Sequence, residues 1–138
     1  LEDYPDIEYK ILLHKHQDIL DNDDLLLEQL NGVRKDLYLW ISIIGKYYYY
    51  TIEKMIKRDG KYYFCYDVLH DEDEVTMVHR LEQFFAQKDY VKLPEDAANY
   101  ILEDIETELS PRSETTVFKC LFNDLFTNKI TNLEVWLP

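Results

Sequence analysis

Glycine is scarce in this chain. Its 138 residues hold three, Gly32, Gly45 and Gly60. Loops that cradle phosphate groups need several glycines within one turn, so nucleotide chemistry of that type is excluded. Proline is scarce too, with four residues, and no Pro/Gly-rich stretch divides the chain. One continuous domain is expected. The three serines are Ser42, Ser110 and Ser113, and none stands in a G-x-S-x-G elbow. The two cysteines, Cys65 and Cys120, sit far apart in the apolar stretches "YYFCYDV" and "VFKCLFN". That spacing matches no metal or redox motif and predicts reduced, buried thiols. No apolar run approaches the length of a membrane span. The reduced thiols make the cytoplasm the expected compartment. The first ten residues, "LEDYPDIEYK", have no signal-peptide core. They also lack an initiator Met, which leaves a longer precursor open.

What is present is acid and tyrosine. The formal net charge is −13, and it is unevenly spread. Residues 1–36 carry ten acids and four bases, 37–69 three acids and five bases, and 70–138 fifteen acids and six bases. A mildly basic middle is flanked by two acidic regions. Phosphate backbones repel such a surface, so no direct nucleic-acid partner is expected. A basic protein partner would be attracted and steered. Solubility alone also accounts for an acidic balance.

The hydrophobic periodicity predicts an α+β domain, with an antiparallel sheet built around a 46–69 hairpin and helices packed on one face. Ile7, Ile11, Leu12, Ile19 and Leu20 recur at mostly helical spacing and predict a helix over 6–20 behind Pro5. Asn22 or Asp23 can cap a second helix with Leu25 to Leu27 and Leu30 on its buried side, ended by Gly32. "DLYLWISII" reads as a strand over 37–44. Asp59-Gly60 is a two-residue turn between aromatic and β-branched runs, which predicts strands over 46–57 and 62–69. Asp71 or Asp73 can cap a helix bearing Val75, Val78, Leu81, Phe84 and Phe85 on one stripe. Pro94 opens a further helical stripe through Ala98, Ile101, Leu102, Ile105 and Leu109, with the acids of "ILEDIETELS" on its solvated side. Ser113 can cap a last helix with Val117, Leu121 and Leu125, although "TTVFKCLF" is also β-rich. Residues 130–138 read as a final strand.

The row Tyr47 to Tyr50 poses the sharpest question. Counting outward from the turn, Arg58 faces Lys61, Ile56 faces Tyr63, Lys54 faces Cys65, Ile52 faces Asp67 and Tyr50 faces Leu69. Strand side chains alternate, so the row must split between two faces. Tyr48, Tyr50, Ile52 and Ile56 form the more aliphatic face, expected to meet helices. Tyr47, Tyr49, Tyr62 and Tyr66 share the other with Lys and Glu. Tyrosine suits an interface, because it offers large apolar area and a hydroxyl for few rotatable bonds. Coverage of both faces, or simple cross-strand pairing, is the structural alternative.

A search for catalytic or metal chemistry selects nothing. His14 and His16 lie two residues apart and diverge on a helix. His70 and His79 flank "DEDEVTMV", which reads as a solvated helix start. As a calcium loop from Asp71, the run fails with Val75 at position 5 and Thr76 where a glycine belongs; from Asp21 it fails with Leu25 and Leu26. No metal, cofactor or catalytic residue is expected. Twenty-eight acids permit some carboxylate pair, and none is singled out.

This profile of acidic flanks such as "DNDD" and "HDEDE", the "KYYYYTIEKMIKRDGKYYFCYDV" hairpin and no catalytic motif resembles the immunity proteins of bacterial contact-dependent and polymorphic toxin systems. The resemblance implies a non-enzymatic inhibitor that binds a basic cognate toxin, such as a nuclease, and occludes its active site. Asp21, Asp23, Asp24, Asp71, Glu72, Asp73 and Glu74 would then pair with toxin lysines and arginines, with Tyr47, Tyr49, Tyr62 and Tyr66 as anchors. The competing expectation is an adaptor domain that self-assembles or binds a neutral partner through its tyrosine face or sheet edge. A hydrolase using scattered carboxylates is the third. Oligomeric state is left open.

Overall fold

The computed structural model describes residues 5–14, 23–69, 71–107 and 109–123. Its centre is a five-stranded sheet. Strand β1 (Asp6–Leu12) pairs antiparallel with β2 (Val33–Ser42), which pairs with β3 (Tyr47–Arg58), which pairs with β4 (Lys61–Tyr66). Helices α1 (Asp23–Gln29) and α2 (Glu72–Gln87) precede β2 and follow β4. The two-residue β5 (Val91–Lys92) joins β3 in parallel, and α3 (Glu95–Ala98) and α4 (Val117–Leu121) come last. The α+β class and the antiparallel sheet agree with the sequence reading.

The first correction concerns residues 6–12, which form a strand rather than the start of a helix. "DIEYKIL" alternates as well as it spirals, and seven cross-strand pairs decide the matter, from Asp6 opposite Ser42 to Leu12 opposite Asp36. Residues 15–22, with Asp21 and Asn22, lie outside the described residues. In α1, Leu26 and Leu27 are buried while Leu25 is exposed. The chain turns at Asn31 and Gly32, both at positive φ. Gly32 is needed twice over: its φ is 81°, and a Cβ there would stand 2.9 Å from the Lys57 carbonyl oxygen.

The hairpin turn is as expected, with Asp59 at φ 51° and Gly60 at φ 73°. Register follows the predicted pairs from Arg58–Lys61 to Lys54–Cys65. It then departs, because β4 stops at Tyr66. Asp67 takes φ 58° and turns its carboxylate into the sheet, accepting from Ile52 N at 3.1 Å and Thr51 Oγ1 at 3.3 Å. Tyr50 therefore does not pair with Leu69. That stretch of β3 receives β5 instead, with Tyr47 opposite Val91 and Tyr48 opposite Lys92.

Helix α2 covers one face. Asp71 is its N-cap, accepting from Asp73 N at 2.8 Å. Val78 and Phe85 are buried against Leu37, Leu39, Tyr48, Tyr50 and Ile52, while Val75 and Phe84, predicted on the stripe, are exposed. The long helix expected from Pro94 is a single turn. Asn99 Nδ2 closes it on the Glu95 carbonyl at 3.0 Å, and Tyr100 and Leu102 then bond to Val117 and Thr115. Ile101, Ile105 and Leu109 are consequently exposed. Thr116, not Ser113, caps α4, accepting from Lys119 N at 3.3 Å. Leu125 and the expected strand at 130–138 lie outside the described residues.

The short C-terminal elements close the second face as well. Leu93, Ala98, Phe118 and Phe122 bury Trp40 and Tyr49. Asn123 ties them to β1, donating from Nδ2 to Asp6 Oδ2 at 2.9 Å and also to Glu8, which accepts from Trp40 Nε1 at 2.8 Å.

Candidate protein-binding surface

Tyr48 and Tyr50 belong to the α2-side core, with Tyr48 stacked on Phe85 at 4.1 Å between ring centroids. Tyr50 donates to Glu82 Oε1 at 2.5 Å and lies 3.9 Å below the Lys92 ammonium. On the other side, Tyr49 is only 4% exposed and wedged against Trp40 and Phe118. It fills a core, and this corrects its place among the candidate anchors. Burial pushes its hydroxyl up to about 12, with Glu95 and Asp67 adding to the shift. Tyr66 is half-buried and its hydroxyl serves Glu53.

Tyr47 and Tyr62 remain, each 40% exposed. They do not form one surface. Tyr62 pairs with Lys57, ten residues along β3 from Tyr47, which at the rise of a strand separates them by roughly 33 Å.

The acids gather where Tyr62 is. Asp24 Oδ1 accepts from Lys57 Nζ at 2.6 Å and from Tyr62 Oη at 2.7 Å, and the ammonium also faces the Tyr62 ring. These bonds, that of Lys57 first, hold the Asp24 carboxyl below its ordinary value and raise Lys57. On the opposite sheet face, at the same end, Lys35 Nζ bonds Glu74 Oε2 at 2.7 Å. The register fixes this geography, because Val33 pairs with Ile56 and Lys35 with Lys54, while Leu12 ends β1 opposite Asp36. Asp71, Glu72 and Asp73 are exposed around the N-terminus of α2. Asp71, Asp73 and Glu74 line a groove of about 430 Å³ whose other walls are Leu12, Leu13, His14 and Met77. Six predicted contacts, Asp23, Asp24, Asp71, Glu72, Asp73 and Glu74, thus stand in α1 or at the α2 N-terminus, with Tyr62 beside Asp24. Asp21 is outside the described residues.

Sequence reasoning missed the apolar half of the groove, because 6–20 was read as helix. The alternation in "DIEYKIL" was the available signal. It also missed a carboxylate pair, since Asp36 and Glu53 lie directly opposite each other. Asp36 is buried and held by Arg34 Nε at 2.7 Å, with Lys10 at 3.9 Å. Burial, then the nearby Asp36, raises the Glu53 carboxyl. Neutralisation by Arg34 and Lys10 marks this as an ion-pair network of the fold. Among the described residues, no three His, Cys, Asp or Glu side chains are grouped to hold a metal ion, and no helix is long and apolar enough to cross a membrane. Comparison with family models, curated proteins and solved structures finds no match for the chain.

Proposed function

We propose that the chain is an immunity-type inhibitory protein that binds a basic cognate toxin domain and occludes its active site. The observation that carries this reading is the crowding of carboxylates at one end of the sheet: Asp71, Asp73 and Glu74 line an apolar-walled groove at the start of α2, and Asp24 of α1 stands on the opposite face. Lysines and arginines of a partner would meet Asp71, Glu72 and Asp73 on one face, and Asp24 with Tyr62 beside it would extend the surface round the end of the sheet. The inhibitor acts by coverage and needs no catalytic residue, metal or cofactor of its own. Its place is the cytoplasm, where Cys65 and Cys120 stay reduced. The test is capture of a partner from the source cell's lysate at low and high salt. The expected result is a basic protein, released by salt, whose activity the chain inhibits.

A second reading rests on the other end of the sheet. Ile43, Ile44, Tyr47 and Val91 are exposed there, and Tyr47 pairs with Val91. Such a patch favours an adaptor that assembles through apolar contact. Sedimentation of the wild type and of Ile44→Glu checks it: a salt-insensitive dimer lost in the variant supports assembly, and a monomer in both removes it.

A further inference from the structure

We infer that β1 pairs antiparallel with β1 of a second copy of this chain, in one register centred on Tyr9. The inference stands apart from the basic partner and uses a different surface. β1 ends the strand order, and among the described residues only β2 pairs with it. Leu13 N donates to the Lys35 carbonyl at 3.0 Å and Ile43 N to the Pro5 carbonyl at 2.8 Å, at either end of the β1–β2 ladder. Antiparallel bonding alternates along a strand, so Ile7, Tyr9 and Ile11 bond inward to β2. The N–H and C=O groups of Asp6, Glu8, Lys10 and Leu12 therefore point out from the sheet edge. Neither a proline nor a bulge interrupts that row.

The side chains select the occupant. Charges on an edge strand usually discourage pairing, but here their signs change along the strand so that one register is complementary. A two-fold axis at Tyr9 places Glu8 opposite Lys10 of the second copy, and Lys10 opposite its Glu8. Moving the axis to residue 8 or to residue 10 sets Glu8 against Glu8 or Lys10 against Lys10, which repel. Trp40 and Asn123 hold Glu8 in place through its Oε1, while the Lys10 side chain is 43% exposed. The same register sets Tyr9 against Tyr9 and Ile7 against Ile11 on the α2 side. Ile7 and Tyr9 are 48% and 53% exposed there, beside Ile41 and Leu39 of β2. Pairing would cover both. An unrelated strand would need the same order of charge, aromatic and aliphatic residues, whereas a second copy supplies it by symmetry.

The experiment is sedimentation of the full chain from micromolar to millimolar concentration, with hydrogen exchange and cysteine crosslinking alongside. The wild type is expected to pass from monomer to dimer, and the Glu8 and Lys10 N–H groups to gain protection as it does. Tyr9→Glu sets two carboxylates on the axis and weakens the dimer many-fold, while melting like the wild type because Tyr9 is exposed. Ile44→Glu, in the apolar patch beside Tyr47, leaves the dimer unchanged. Tyr9→Cys forms a disulfide between copies under mild oxidation, whereas the similarly exposed Ile7→Cys, set opposite Ile11, forms far less. Both cysteine variants carry Cys120→Ser, and Cys65 is buried. If Tyr9→Glu lowers the melting point, the crosslinking pair decides alone. A monomer throughout, a dimer kept by a well-folded Tyr9→Glu, a dimer lost in Ile44→Glu, or equal crosslinking at positions 7 and 9 overturns the inference. Each of these outcomes leaves capture of a basic partner to be judged by its own test.

Discussion

Tyr49 and Phe118 meet edge to face, with ring centroids 5.5 Å apart and planes at 78°. The contact joins the middle of the tyrosine row to a helix 69 residues further along the chain, and both rings are buried. It decides what the row does: two tyrosines fill one core, one fills the other, and only Tyr47 faces solvent.

Phe118→Ala should therefore be severely destabilising. Losing a buried phenylalanine costs about 3–5 kcal/mol, cavity included. Tyr47→Ala and Tyr62→Ala, at exposed positions, should each cost well under half of that. Urea unfolding of the three variants makes the comparison. Equal costs would return Tyr49 and Phe118 to the surface.

Asp67 should be replaceable by Asn and not by Ala. Its left-handed backbone tolerates Asn, whose side-chain carbonyl can still accept from Ile52 N. Alanine strands that buried N–H and strains the turn, at a combined cost of about 2 kcal/mol or more. Thermal unfolding should rank wild type and Asp67→Asn close together, with Asp67→Ala far below.

Alkali should weaken the fold before it ionises Tyr49. The folded-state value of this group, about 12, lies above the ordinary 10 of tyrosine. Its contribution is complete below pH 10 and is lost as pH rises toward 12, because the unfolded chain ionises first. Burial raises Tyr50 too, helped by its bond to Glu82. Denaturant unfolding at pH 9 and pH 11 should show the loss, and Tyr49→Phe should reduce it.

Glu53→Gln should hold or raise stability at neutral pH. The raised carboxyl favours its neutral form in the fold, so the stability it lends is full below its unfolded value and lost as pH rises through the folded one. Glutamine keeps an acceptor for Tyr66 and ends the repulsion from Asp36. Melting at pH 4 and pH 7 should show a larger gain at pH 7; a marked fall there would contradict the argument.

The parts legible from the sequence are those with local causes. Asp59-Gly60 dictated its own turn, the first pairs of the hairpin followed by counting, and Asp71 was read as a candidate cap of α2. Alternation also sorted Tyr48 and Tyr50 from Tyr47 and Tyr49. What failed had distant causes. "DIEYKIL" became a strand because β2 offered seven partners. The helical stripe after Pro94 dissolved because Tyr100 and Leu102 found Val117 and Thr115. Coverage of Tyr49 depended on Phe118 and Phe122, which no local pattern ties to it. The acidic residues of the candidate surface were visible as runs, but their gathering at one sheet end required the register of β1 to β4.

The central claim is that carboxylates at the start of α2 draw a basic partner, and one comparison tests it most directly. Wild type and the double variant Glu72→Lys/Asp73→Lys, which keeps the Asp71 cap and the Lys35–Glu74 pair, are used to capture partners from the source cell's lysate at low and high salt. The account predicts one basic protein held by the wild type at low salt, released at high salt, inhibited in its own activity when bound, and held far more weakly by the variant. Equal capture by both forms, capture that ignores salt, or recovery of the chain's own copies alone would contradict it.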